Sequence, residues 1–206
     1  MKYLSFFILL FIGELSVSAQ HMFSRQFPFF NQLSSNEIFS IHQDREGYFW
    51  IGTTNGLARY DGYQLNTFRT DYKNQNLLTD NGITAINDND LYVWIGTWKG
   101  LNLYNKKTCR ITPFSDARLL NKVVDAITVD KDGNVWVSAG GMIYRCDSTA
   151  HIIKEYEVGN IQEGYAISNI YVDQQKQLWA VGSRGIFRYE PETDSFFRYP
   201  PLGNGH

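Results

Sequence analysis

The chain has 206 residues, 43% of them hydrophobic, 16% aromatic and 19% charged, which is enough apolar material for a sizeable core and too much for a disordered polypeptide. Lys and Arg total 19 against 21 Asp and Glu, giving a net charge of -2, so the chain has no field that would gather nucleic acid or an anionic membrane.

Residues 1–19 read as a signal peptide. Lys2 and the amino terminus precede the apolar run Tyr3 to Ile12, and Val17-Ser18-Ala19 offers the small residues that precede a signal-peptidase cut, expected after Ala19. The run is shorter than the roughly 20 apolar residues a membrane span requires, and nothing later is long enough, so no membrane span is expected. No Cys follows the run to carry a lipid. Residues 20–37 form a lead-in, in which Phe23 to Phe30 reads as an outer strand meant for the last blade of a ring.

From residue 38 the sequence repeats. Trp50, Trp94, Trp136 and Trp179 follow one another at intervals of 44, 42 and 43 residues, a period typical of propeller blades. Six residues before each stands an aspartate, Asp44, Asp88, Asp130 and Asp173, and ten residues after come Tyr60, Tyr104, Cys146 and Tyr189. In the first copy, Ile38 to His42 and Tyr48 to Thr53 are strands joined by the turn Asp44-Arg45-Glu46-Gly47. Asn55-Gly56 then turns into Leu57 to Tyr60, and Asp61-Gly62 turns into Tyr63 to Arg69. The blades are expected at 38–80, 81–122, 123–165 and 166–199, followed by an interblade linker at 200–206 that reads as cut short.

The later copies wear locally. The turns at Asp88 and Asp173 lack the glycine and are expected to differ in conformation, and Gly140-Gly141 suggests that the second turn of the third copy is shifted by one residue. No stretch after residue 20 keeps helical spacing for three turns, so the expected fold is all-β: an open, partial β-propeller of four blades, each of four antiparallel strands.

The four Trp are expected to wedge between neighbouring sheets, and the four Asp to cap turn amides rather than converge on a metal. Cys109 and Cys146 could pair in an exported chain, although two small buried residues is the preferred assignment. His21, His42, His151 and His206 are scattered, and no catalytic triad, carboxylate pair, metal cluster or cofactor motif stands out.

Asp44 to Gly62, containing Gly47-Tyr48-Phe49-Trp50-Ile51-Gly52-Thr53 and Asn55-Gly56-Leu57-Ala58-Arg59-Tyr60-Asp61-Gly62, resembles the first-blade signature of the two-component regulator propeller family. Val93 to Thr97 with Gly100 to Tyr104 repeats it, and the resemblance runs over about residues 22–199. It implies the periplasmic sensor of a hybrid two-component histidine kinase of Bacteroides type, with an oligosaccharide ligand and with further blades and kinase domains as partners. No kinase motif lies in these 206 residues, so phosphoryl transfer is assigned to none of them. Ligand contacts are expected from loops on one face: Asn55, Trp98, Lys99 and Arg184 between second and third strands, and Tyr72 and Lys73 after the first blade. A propeller lyase or glycoside-cleaving enzyme and a structural interaction scaffold are the alternatives, and open blade edges invite self-association.

Overall fold

The computed structural model describes residues 27–70, 77–158, 167–183 and 185–199. The signal peptide, Tyr72, Lys73, Arg184 and residues 200–206 lie outside them.

Sixteen strands form four separate antiparallel sheets, each built from consecutive strands. The first contains β1 (Ile38–Gln43), β2 (Phe49–Thr53), β3 (Gly56–Tyr60) and β4 (Leu65–Phe68). The second contains β5 (Ile83–Asp88), β6 (Tyr92–Thr97), β7 (Gly100–Asn105) and β8 (Arg110–Pro113). The third contains β9 (Val124–Val129), β10 (Val135–Ala139), β11 (Met142–Cys146) and β12 (Ile152–Glu157), and the fourth β13 (Ile167–Val172), β14 (Leu178–Gly182), β15 (Gly185–Glu190) and β16 (Ser195–Arg198). Among the described residues two 3-10 turns lie outside the strands, Phe30–Gln32 and Ala117–Leu119. First strands touch in succession, β1 on β5, β5 on β9 and β9 on β13, so they line the axis of a propeller arc.

One joint recurs between blades. Trp50 meets Tyr104 of the next blade with ring centroids 4.8 Å apart at 63°, and Trp136 meets Tyr189 at 4.8 Å and 62°. Between them, Cys146 takes the tyrosine's place opposite Trp94, and burial pushes its thiol pKa up to about 12. Behind each Trp stands an aromatic from the fourth strand or just after it: Phe68, Phe114, Tyr156 and Tyr199. Gly52 admits the next blade, since a Cβ there would lie 2.6 Å from Ile83. Both cysteines are free, and of the two expected to be buried only Cys146 is; Cys109 is exposed, in the turn between β7 and β8.

Trp50, Trp94 and Trp136 are fully buried, whereas Trp179 is half-buried, since among the described residues no further sheet packs against the fourth. The outward faces of the first and last sheets are both uncovered, so the arc is open. Phe27 to Phe30 does not form the expected strand. The segment turns through Phe30–Gln32 and lies on the first sheet, where Phe27 packs edge-on to Tyr60 at 5.1 Å. Tyr60 is the counterpart of Tyr104, so Phe27 stands where the tryptophan of a preceding blade would.

Three expectations about turns are corrected. Gly140-Gly141 does not shift the third blade: Ala139 pairs with Met142 as Thr53 pairs with Gly56, and both glycines sit at positive φ inside the same two-residue turn. The turn at Asp173 keeps the bonds of its counterparts, with Lys176 at φ 65° where Gly47 and Gly133 sit at 92° and 82°. Asp88, counted as the turn aspartate of the second blade, is not. Asn89 closes that turn, its N–H donating to the Tyr92 carbonyl as Asp44 N–H does to Tyr48. The turn is one residue shorter, and Asp88 falls back to the last position of β5.

Candidate functional site

Each first strand carries a β-bulge near its start, and the extra residue is Phe39, Thr84, Asp125 or Ser168. A bulge breaks the alternation that would bury its side chain between sheets, and so re-aims it. Phe39 is 56% exposed, and Asp125 and Ser168 are exposed as well. Thr84 Oγ1 donates to the Val124 carbonyl at 2.5 Å, tying adjacent axial strands together. The four bulges therefore form a row around one end of the axis.

The turns between second and third strands gather at that same end. Trp98 lies in the turn after β6, 44% exposed, with its ring 6.3 Å from Phe39 and tilted by 65°. The indole lies directly on Gly82, where any Cβ would come within 2.4 Å of the ring, and its backbone N–H donates to the Gly82 carbonyl. Glycine is required there by close approach. Lys99 Nζ is 3.1 Å from Asp80, whose other oxygen accepts the Gly82 N–H. Desolvation raises the Asp125 carboxyl pKa, and no other side chain pairs with it among the described residues. The site thus combines an aromatic corner, a held lysine and an unpaired carboxylate.

Of the residues expected from sequence, Trp98 and Lys99 stand here together. Asn55 is consumed by the fold: its amide donates to the Ser34 carbonyl at 3.2 Å and its oxygen accepts from Arg69. Phe39 and Asp125 were missed. They stand 11 residues before their tryptophans, as Ser168 does, and Thr84 stands 10 before because of the shorter turn. Comparing that column across copies would have exposed them.

Two other clusters serve the fold. Asp88 accepts from His42 Nε2 and Lys106 Nζ, both at 2.7 Å, and from the Arg45 N–H, joining the first two blades. Burial alone would raise its carboxyl pKa, but these bonds outweigh burial and hold it at about 2. At the far end of the third and fourth blades a cleft of about 280 Å³ is lined by Asp130, Trp136, Lys176, Arg188, Tyr189 and Glu190. Its main charges are already engaged, Asp130 with Trp136 and Arg188 with Glu190. Among the described residues no group of three or more His, Cys, Asp or Glu could hold a metal, and no helix is long and apolar enough to cross a membrane.

Residues 32–55 and 118–141 match the family "Two component regulator propeller". Parts of two blades, the first and the third, thus match the two-component regulator propeller repeat. Among solved structures, the extracellular domain of BT4673, a candidate one component system of B. thetaiotaomicron, is 21% identical at TM-score 0.61, covering 83% of this chain and 22% of that one. The extracellular domain of BT3049, a candidate hybrid two component system of the same organism, is 21% identical at TM-score 0.55, covering 80% and 30%. Virginiamycin B lyase from Staphylococcus aureus is 18% identical at TM-score 0.65, covering 82% and 57%. The chain thus spans about a fifth to three-fifths of the structures it resembles, and at these identities the likeness is one of fold. No curated relative matches it. Its fold is thus like that of the extracellular domains of these B. thetaiotaomicron systems.

Proposed function

We propose that this chain is the exported, periplasmic, ligand-sensing propeller segment of a hybrid two-component system, recognising an oligosaccharide at the axis mouth and passing the signal to a histidine kinase. The supporting observation is the exposed corner of Trp98 and Phe39 at the mouth of a propeller with regulator-type repeats. Sugar rings present C–H faces that stack on aromatic rings and a rim of hydroxyls that pair with charged and hydroxyl groups. Trp98 and Phe39 supply the stacking surface, Lys99 the donor, and Asp125 an acceptor left unpaired by the protein. Because the bulges lie on strands that also form the joints between blades, a ligand that draws two bulges together acts on the stacking of the arc, which is a route for a signal.

Calorimetric titration of the chain with defined neutral and acidic oligosaccharides is the test. At least one saturable ligand is expected, with Trp98→Ala weakening it about tenfold or more, as loss of an aromatic anchor does. Unchanged affinity in that variant would remove the mouth from the proposal, and absence of any ligand would favour a scaffold. The lyase likeness in fold makes product analysis a necessary arm, since turnover of a glycan or lactone would replace sensing by catalysis.

A further inference from the structure

The cleft of about 280 Å³ between the third and fourth blades holds two charges that the fold does not use. Its walls are the turn after β9 and, across the joint, the turn after β13 with the end of β15, in two blades that pack on each other. Asp130 is spent on the Trp136 indole and on turn amides, and Arg188 on Glu190. Lys131 lines the cleft from the third blade and Lys176 from the fourth, and among the described residues neither side chain has an ion-pair or hydrogen-bond partner.

At the joint between the first and second blades the same positions are matched. Arg45, the counterpart of Lys131, reaches across to Asp90 at 2.5 Å, and its backbone N–H donates to Asp88, which also holds His42 and Lys106. The second blade thus supplies two carboxylates to the cations of that joint. The fourth blade supplies none there: Val172 stands at the position of Asp88, and the turn Gln174-Gln175-Lys176 holds no acid where Asp90 lies. Pro191 stands in place of Lys106, so the space that the lysine chain fills in the first joint is left in the cleft. Asp132 does not replace the missing acids, since its counterpart Glu46 takes no part in the Arg45–Asp90 pair. Lys176 also holds φ 65° where two counterparts are glycine, a backbone cost kept at the rim of the cleft.

We propose that this cleft binds a small sugar acid, whose carboxylate takes the place between Lys131 and Lys176 that side-chain carboxylates take in the first joint. The volume is at the lower end of ligand pockets and suits one hexuronate rather than a chain of them. Asp130, Asp132 and Glu190 offset Lys131, Lys176 and Arg188, so the lining has no excess positive charge to favour a doubly charged anion. A single carboxylate flanked by hydroxyls meets both ammonium donors, with Asp132 and Gln177 as acceptors for the hydroxyls. The site lies at the opposite end of the blades from the axis mouth and does not rest on the sensing role assigned there.

Titration of the chain without its signal peptide with glucuronate, up to about 10 mM and followed by nitrogen–proton correlation spectra, tests the proposal. The Trp136 indole N–H, in the wall of the cleft, should shift saturably, and that of Trp98 at the mouth should not. Lys131→Gln, at an exposed position, should weaken binding about tenfold, as loss of a charge-assisted hydrogen bond does. Lys176→Gly should weaken it similarly while raising the urea midpoint, a combination that a lysine serving only the turn would not give. Glucose, lacking the carboxylate, should leave the Trp136 resonance in place. No saturable shift, or unchanged affinity in both variants, would overturn the site, and inorganic phosphate binding as tightly as glucuronate would overturn the carboxylate assignment. A shift at Trp98 in place of Trp136 would move the acid to the mouth, so that this proposal fails while the sensing one gains.

Discussion

Replacing each buried tryptophan by phenylalanine should separate three residues that look identical in sequence. Trp50, Trp94 and Trp136 occupy one position and are fully buried. The Trp50 Nε1–H donates to Asp44 at 2.7 Å and that of Trp136 to Asp130 at 2.8 Å, but Trp94 Nε1 is buried without an acceptor. The cause is the shortened turn. Asn89 sits in the aspartate's place, spends its oxygen on the Leu91 and Tyr92 N–H groups, and turns its amide nitrogen, a donor, to the Ser148 carbonyl. Shrinking an indole to a phenyl ring costs about 1 to 2 kcal/mol in packing at any of the three sites, a fraction of the full cost of truncation to alanine. At Trp50 and Trp136 it also removes a hydrogen bond to a carboxylate, about 1.5 to 3 kcal/mol, whereas at Trp94 it removes an orphaned donor whose burial already costs about 1 to 3 kcal/mol. Trp50→Phe should therefore lose about 3 to 5 kcal/mol and Trp94→Phe about 1 kcal/mol or less. With a urea slope of about 1 to 3 kcal/mol/M, the midpoints of the two variants should differ by about 1 M or more, followed by far-ultraviolet circular dichroism. Trp94→Ala, which empties the site, should still cost about 3 to 5 kcal/mol. Equal losses in Trp50→Phe and Trp94→Phe would refute the assignment of the orphaned indole.

Asp88 gives a pH prediction. Folding lowers its carboxyl pKa from an ordinary 3.8 to about 2, so its contribution is complete above pH 4 and is lost as pH falls from about 4 toward 2. That depression corresponds to about 2 kcal/mol, and the urea midpoint of the parent should fall more steeply than that of Asp88→Asn between pH 5 and pH 2; parallel curves would contradict it. Lys176 holds a left-handed backbone at φ 65° in a place where two counterparts are glycine, so Lys176→Gly should stabilise by about 1 kcal/mol in the same assay. A loss of stability there would mean that the lysine side chain does more than occupy a turn.

Most of the fold was legible because its signals are local. Turn residues such as Asp44 and Gly47, alternation along the strands and the tryptophan period each act within a few residues, and they agree with one another. What was missed depends on counting or on neighbours. Asp88 stands six residues before Trp94 like its counterparts, but one deletion in the turn hands its role to Asn89, and the count stays the same only because Asp88 happens to precede it. Trp179 carries the same sequence signal as Trp50, yet it is only half-buried, because burial also needs a sheet packed on the outward face and none is packed there among the described residues. Trp98 stands out in the sequence because it departs from its repeat counterparts, and the structure places it exposed in the turn after β6. Asn55 resembled a ligand contact because the chemistry of a turn amide and that of a binding amide are the same until partners are seen.

The four copies also act as an internal comparison that separates what the fold needs from what is left over. At the backward joint the residue type is constant, Ile41, Ile86, Ile127 and Ile170, because each must fill the same hollow beside the preceding blade. At the bulge it is Phe39, Thr84, Asp125 and Ser168, an aromatic, two hydroxyls and a carboxylate in one structural position. A position whose backbone geometry repeats while its chemistry does not is under no packing demand from the blade. Thr84 and Ser168 spend their hydroxyls on backbone carbonyls, which leaves Phe39 and Asp125 as the side chains of the row on which the proposed sensing role rests, rather than the polar loops at large.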